Sequence, residues 1–450
     1  MADPAQTTVP PAASPLPTNP YLSRQALFPP RIADPPPPGL GLVVVIPCHD
    51  EPDPFATLDS LRHGVRSGGA AEVILVVNGS AAADPGVVQR NRATVADFAH
   101  WLGQDRDPAL AFHLLDCPDL PPRHAGVGLA RKIGMDEAVA RLHQVGNPRG
   151  IIACLDADTR CQPDYLQALE NHFFRHPDSP GCTIHFEHPL AGLPPRHRLG
   201  MASYELHLRC FRQGLALAGD PYPFHTVGSA MAVRSQAYQR VGGMNRRQAG
   251  EDFHFLRKLF AQGGCTELTA TTVHPAARVS QRVPFGTGAA LGRWLAGHAP
   301  CFTTSDPRCY RTLTPLLATP ARWMTEPVPL EGPLGDFLVA GGLPGLLPGM
   351  RARTTSAATF VKRFRQWFDG LKIVQAVNHL SRTLYPPVPV TDAARTLHRW
   401  RFPHQPDPED DAVDAWLERC RALDRMAEAI RFPDVSRADD RGFGSRSGVW

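Results

Sequence analysis

Lysine is nearly missing from this chain: four lysines stand against 43 arginines. The skew reads as GC-rich coding rather than a binding surface, although a planar guanidinium suits phosphate groups. Charge of either sign is not in excess, since the formal net charge is only +4 over 450 residues. Nothing in that balance calls for nucleic acid or an anionic membrane as partner. The ten cysteines show no Cys-x-x-Cys spacing, which argues against a zinc site and fits reduced thiols buried as small core residues. No stretch of about 18 apolar residues occurs. The nearest candidate, Phe337 to Met350, is broken by Gly341, Gly342, Pro344, Gly345 and Pro348. No charged and then apolar leader opens the chain, so the expectation is a cytoplasmic protein without an integral membrane segment. Internal repeats are also lacking.

What is there begins with residues 1–38, rich in Pro, Ala, Thr and Ser and closing on Pro35-Pro36-Pro37-Pro38. Such composition buries too little apolar surface to order itself and predicts a flexible arm. Leu42 to Ile46 and Val73 to Val77 are short apolar runs that predict fully buried parallel strands. A helical segment over Phe55–Val65 lies between them, giving a right-handed βαβ unit with both polar strand ends at one sheet edge. Helices are predicted over 87–103 and over Ala125–Leu142, the latter carrying Arg131 and Lys132 near its start. A phosphate there would offset two cations that oppose the helix dipole. Residues 111–115, 180–188, 227–233 and 269–273 predict further strands. Beyond about residue 300 the pattern turns to Pro-interrupted helices. Phe360, Phe364, Trp367, Leu371 and Val374 form one apolar stripe, and Val413, Trp416, Cys420, Leu423, Ala427 and Ile430 another.

The chain is organised around Ile151-Ile152-Ala153-Cys154-Leu155-Asp156-Ala157-Asp158, a buried strand with two carboxylates at its end. In an open α/β sheet, ligands lie outside the carboxyl ends of the strands. Hard oxygen ligands at that place suit Mg²⁺ or Mn²⁺ carried by a diphosphate. Downstream, Gly250-Glu251-Asp252 opens a helix with two acids in its first turn. The helix dipole accounts for one of them.

In this order the pieces resemble a family-2 glycosyltransferase of GT-A fold over roughly residues 41–290. Val45-Ile46-Pro47-Cys48-His49-Asp50-Glu51 resembles the opening strand and loop, and Val76-Val77-Asn78-Gly79-Ser80 the second strand. Gly126 to Gly134 is similar to the Ala-Arg-Asn-x-Gly helix, Leu155-Asp156-Ala157-Asp158 to the metal motif, and Gly250-Glu251-Asp252 to the Glu-Asp motif. The resemblance implies an α/β fold, a Rossmann-like, mostly parallel sheet with helices on both faces, over residues 39–300. A helical extension fills 301–450. It implies inverting transfer of one sugar from a nucleotide sugar, UDP-linked as a first guess, to an acceptor that the sequence does not name. Asp252 would be the base and Glu251 its orienting partner. Pro47, Glu51, Asn78, Arg131, Lys132 and Asp156 would hold the donor, and Asp158, Asp156 and His274 the metal. The chain departs from the family at Asn78, where an acid is usual, at Lys132 in place of Asn, and in lacking Gln-x-x-Arg-Trp, of which only Arg293-Trp294 remains. A non-catalytic sugar-nucleotide-binding scaffold and a nucleotidylyltransferase are the competing readings. Acidic Asp50-Glu51 in the first loop counts against the latter. The helices after 300 fit an acceptor cover or a homo-oligomer contact alike.

Overall fold

The computed structural model describes residues 18–66, 68–103, 107, 109–280, 282, 286–297 and 301–426. The sheet holds β1 (Leu40–Cys48), β2 (Ala70–Ser80), β3 (Leu110–Leu120), β4 (Ile151–Cys154), β5 (Thr159–Cys161), β6 (Gly181–Phe186), β7 (Met231–Arg234) and β8 (Thr266–Pro275). Their spatial order is β3-β2-β1-β4-β7-β6-β8-β5. The pairs β1–β2, β2–β3, β1–β4 and β6–β8 are parallel, while β7 and β5 run antiparallel to their neighbours. This is the mostly parallel α/β sheet expected for GT-A.

The first half supplies helices α1 (Pro20–Arg24), α2 (Phe55–Arg62), α3 (Pro85–Gly103), α4 (Val127–Gln144), α5 (Tyr165–Arg175), α6 (Pro195–Ala218), α7 (Ser235–Arg240), α8 (Glu251–Phe260) and α9 (Thr287–Ala296). Alternation along β1 assigns its two faces. Leu42, Val44 and Ile46 join a core with α2, α3 and α5, whereas Val43 and Val45 join one with α4, α7 and α8. Both faces are therefore apolar, and the strand reads as an unbroken hydrophobic run. Gly134 of α4 allows close approach, because a Cβ there would stand 2.4 Å from Val45 Cγ1.

A third core joins α6 and α9 to α10 (Pro307–Leu317), α11 (Gly332–Ala340), α12 (Leu343–Ala352), α13 (Ala357–Trp367), α14 (Gly370–Thr383), α15 (Val390–Arg401) and α16 (Val413–Arg425). The helical character expected after 300 is present, and no described helix is long and apolar enough to cross a membrane. The stripe expected over 360–374 is cut in two. Asp369 caps α14 through the Lys372 N–H at 3.0 Å, and the new helix restarts the phase. Phe360 and Phe364 are buried, but Leu371 is exposed and Ile373, Ala376, Val377 and Leu380 take over the inner face. In the last stripe Ala427 and Ile430 lie outside the described residues.

Residues 18–38 depart from the expected flexible arm. Asn19 caps α1, and Tyr21 is buried with its hydroxyl donating to Asp136 of α4 at 2.6 Å. The Arg31 and Ile32 amides donate to Glu137 at 2.8 and 3.1 Å. Two carboxylates on α4 thus satisfy backbone donors that composition alone leaves unplaced. The remainder of the expected arm, residues 1–17, lies outside the described residues.

Candidate active site

The strand ends meet two ion-pair clusters, each gathered on arginine, one on either side of the turn after β4. Ladder bonding continues to Leu155, whose N–H donates to Val45 O at 3.1 Å, and the Asp156 carbonyl then accepts from Thr159 N at 2.9 Å. Within this turn the two acids separate. Asp156 pairs with Arg131, and Asp158 pairs with Arg278.

Arg131 is the hub of the first cluster. Its side chain is 3% exposed and its two Nη atoms donate to Glu251 and to Asp156. Glycines make room for it. A Cβ at Gly228 would lie 2.2 Å from Arg131 Nη1, and one at Gly128 would lie 2.3 Å from Arg247 O, where the start of α4 meets the chain before α8. Gly250, just before Glu251, has φ 69°, a left-handed turn that glycine adopts without strain. It delivers Glu251 and Asp252 side by side in the first turn of α8. Asp252 accepts from the N–H groups of Phe253, at 2.7 Å, and Gly228.

Two carboxylates therefore share one guanidinium, and Asp252 acts on it through space. Burial pushes the Glu251 carboxyl up to about 8, with Arg131 pulling the other way and Asp252 adding to the rise. Burial likewise raises Asp252, again opposed by Arg131. Burial disfavours the charge on Arg131, but Asp156 and Glu251 outweigh it and hold the guanidinium ionised. Glu251 and Asp252, side by side, both hold their protons above the ordinary carboxylate range.

The second cluster is cationic at its centre. Arg278 donates to Asp158 from Nε at 3.1 Å and from Nη2 at 2.8 Å, and also to Glu51. Arg282 donates to Glu51 at 3.3 Å and to the His49 carbonyl at 2.7 Å. Burial and the neighbouring Asp158 raise the Glu51 carboxyl, with Arg278 and Arg282 opposing. Beside this cluster, Asn78 is 1% exposed and its Oδ1 has no partner among the described residues. Its carbonyl instead takes His49 Nδ1 at 2.7 Å and Asn91 Nδ2 at 3.0 Å. Asn91 also accepts from Asp50 N at 2.9 Å, so the loop after β1 is pinned across the end of β2.

Of the residues expected at the site, Arg131, Asp156, Glu251 and Asp252 come together, and Glu51 meets Asp158. Pro47 is buried inside β1, opposite Val76. His274, in register with Arg160, has Nδ1 3.1 Å from the Glu187 carbonyl. Lys132 departs from expectation. One step along α4 from Arg131, it turns to the far side, buried against Asp136 at 3.0 Å and the Tyr21 hydroxyl at 3.0 Å. A 100° rotation per residue separates the two cations. Arg278, Arg282, His49 and Asn91 were not anticipated. The only signal is the spacing of Arg278 and Arg282, four apart after His274.

Among the described residues no three His, Cys, Asp or Glu side chains converge on one point that could hold a metal ion. The side chains expected as metal ligands have other partners, Asp158 in Arg278 and His274 in the Glu187 carbonyl. Mg²⁺ is commonly held by one or two carboxylates together with substrate phosphates. An imidazole whose Nδ1–H is taken by a backbone carbonyl presents Nε2 as ligand.

Residues 151–330 match the family described as glycosyl transferase family group 2. No curated protein matches. The chain is similar to the solved structure of Staphylococcus aureus TarS 1–349 in complex with UDP-GlcNAc, at 13% identity and TM-score 0.36, over 87% of this chain and 94% of that one. It is similar to a mannosyltransferase from Pyrobaculum calidifontis in complex with GDP-Man and Mn²⁺, at 17% identity and TM-score 0.34, over 78% and 92%. Glucosyl-3-phosphoglycerate synthase from Mycobacterium tuberculosis gives 14% identity and TM-score 0.30, over 51% and 68%. At scores this low the fold assignment rests on the strand order itself.

Proposed function

With residues 151–330 belonging to the family-2 glycosyltransferases, we propose that the chain moves a single sugar from a nucleotide-diphosphate sugar to an acceptor hydroxyl, with inversion and metal assistance. The reading is carried by Asp252, a raised carboxylate beside the Arg131–Asp156 pair at the strand ends. The donor domain is residues 39–300, and 301–450 is an extension whose described part, 301–426, is mostly helical.

The nucleoside lies against the ends of β1 and β2. Asn78 Oδ1, buried and without a protein partner among the described residues, accepts the N3–H of a uracil ring, so UDP is the first donor nucleotide to test. An unpaired buried acceptor costs about 1–3 kcal/mol, which binding of that base recovers. Asp156, whose side chain is 39% exposed, presents its free oxygen to the ribose or the diphosphate. Asp158 and His274 would hold the divalent ion, together with oxygens of the diphosphate. When bound, Mg²⁺ or Mn²⁺ offsets the charge that develops on the departing diphosphate.

Asp252 accepts the proton of the acceptor hydroxyl as that oxygen bonds to the anomeric carbon and the diphosphate leaves from the opposite face. A single displacement inverts the carbon. A raised pKa suits a base that works near neutral pH. Glu251 acts through Arg131, which it shares with Asp156, and so couples the donor to the base. The experiment is release of nucleoside diphosphate from UDP- and GDP-sugars with Mn²⁺, Mg²⁺ or EDTA, for wild type and Asp252→Asn. Metal-dependent release of one diphosphate, with a product of inverted anomeric configuration, is expected for the wild type only. Release at the wild-type rate by Asp252→Asn would sink the assignment of the base.

A further inference from the structure

Resting on that donor-site reading, we propose that Arg278 binds the diphosphate while Arg282 stays on Glu51. Arg278 pairs with Asp158, the carboxylate assigned to the metal, so the ion binds well only together with a nucleoside diphosphate. Nothing in the sequence motifs assigns either arginine a role.

Three observations carry this. First, Arg278 spans the cleft. It bonds Glu51 from the β1 loop and Asp158 from the β4 turn, two carboxylates that would otherwise repel each other across the donor position. A cation of some kind is required there, and a guanidinium supplies it. Second, Arg278 can leave. Its side chain is 31% exposed, whereas that of Arg131, the fixed cation of the neighbouring cluster, is 3% exposed. Third, its departure does not strand a buried charge. Arg282 already donates to Glu51 at 3.3 Å and to the His49 carbonyl at 2.7 Å, and so stays as the partner of Glu51.

A divalent ion and a guanidinium cannot both occupy one carboxylate without strong like-charge repulsion. A free ion must therefore displace Arg278 unaided. A diphosphate changes the balance, because its oxygens take the guanidinium in bidentate fashion and release Asp158 to the ion. His274 Nδ1 lies 3.1 Å from the Glu187 carbonyl, and an imidazole held in that way offers its Nε2 to an ion. Ion and diphosphate thus enter as a unit, and Arg278 moves from carboxylate to phosphate.

The test measures Mn²⁺ binding by EPR, with and without UDP or GDP, for wild type, Arg278→Gln and Arg278→Lys. Wild type is expected to bind Mn²⁺ weakly alone and about tenfold or more tightly with the matching nucleotide. Arg278→Gln removes the charge and is expected to bind Mn²⁺ alone about tenfold more tightly than wild type, while binding nucleotide less tightly. Arg278→Lys retains the charge and is expected to keep Mn²⁺ out, which separates electrostatic competition from a general loosening of the fold. Equal Mn²⁺ affinity for wild type and Arg278→Gln, with a nucleotide still bound, overturns this inference and leaves the transferase reading standing. Failure of every nucleotide to bind any variant removes both.

Discussion

Replacing Asp424 by Asn tests how the C-terminal helix is fastened to the sheet. Asp424, on α16 and 4% exposed, receives Arg209 and Arg212 of α6 and His225 Nε2 at 3.2 Å. Burial opposes its charge, but Arg212 and Arg209 outweigh that cost and hold the carboxyl well below the usual carboxylate range. Asn keeps the shape and one acceptor oxygen but removes the charge. Neutralising one partner of a buried ion pair costs about 3–5 kcal/mol. Each arginine retains a second carboxylate, Glu205 at 2.7 Å from Arg209 and Glu267 at 2.6 Å from Arg212. The lower end, about 3 kcal/mol, is therefore expected, against the 5–15 kcal/mol total of an ordinary domain. Urea unfolding followed by tryptophan fluorescence measures it, with the slope unchanged and the midpoint lowered. The sign with pH is fixed. A depressed carboxylate contributes stability above its unfolded pKa of about 3.9 and loses it as pH falls through the folded value, so the gap between wild type and variant stays constant from about pH 5 to 8 and closes in acid. A loss below about 1 kcal/mol at neutral pH would refute the claim that this network fastens α16.

Two further outcomes are expected. Gly228→Ala drives a methyl against the buried Arg131 guanidinium, at 2.2 Å from Nη1. The overpacking costs about 1–3 kcal/mol by thermal unfolding, and diphosphate release should fall by about 100-fold or more as the Arg131–Asp156 contact is lost. For the Glu251–Asp252 pair, both carboxyls are raised and Glu251 to about 8. Activity should therefore climb with pH toward 8 as the pair gives up its proton. The stability contributed by a raised acid is complete below its unfolded pKa and is lost as pH rises through the folded value. Glu251→Gln should flatten both profiles between about pH 4.5 and 8. An unchanged rate profile in that variant would count against a shared proton.

Much of the fold was legible because burial on both faces leaves a plain signature. The runs Leu42–Ile46, Val73–Val77 and Ile151–Leu155 are three adjacent strands of the sheet, each apolar throughout. β3 continues to Leu120, past the expected end at 115, since an edge strand tolerates Pro118. The paired acids at 156, 158, 251 and 252 were legible because carboxylates at a strand end and a helix start carry a chemical reason of their own. Their partners were not. Whether Arg131 or Lys132 faces the strand ends depends on the rotation of α4, and adjacent residues look alike in a sequence. Arg278 was invisible, since an arginine in a loop is usually a solvated one. The network about Asp424 was equally so, because each charge there is buried only by elements some 200 positions away. The order in residues 18–38 likewise depends on Asp136 and Glu137, acids on a helix that composition treats as solvent-facing.

α6 runs 24 residues, about 36 Å. Gly200 lies against Trp294, and Gly214 is flat against the Tyr310 ring. In between, Glu205, Arg209 and Arg212 are tied to α16 and the sheet. A wall used from both sides cannot be given to one neighbour without stripping the other. The boundary near residue 300 is thus a change of texture rather than a seam. Exchange of the helical region between relatives would have to carry α6 with it.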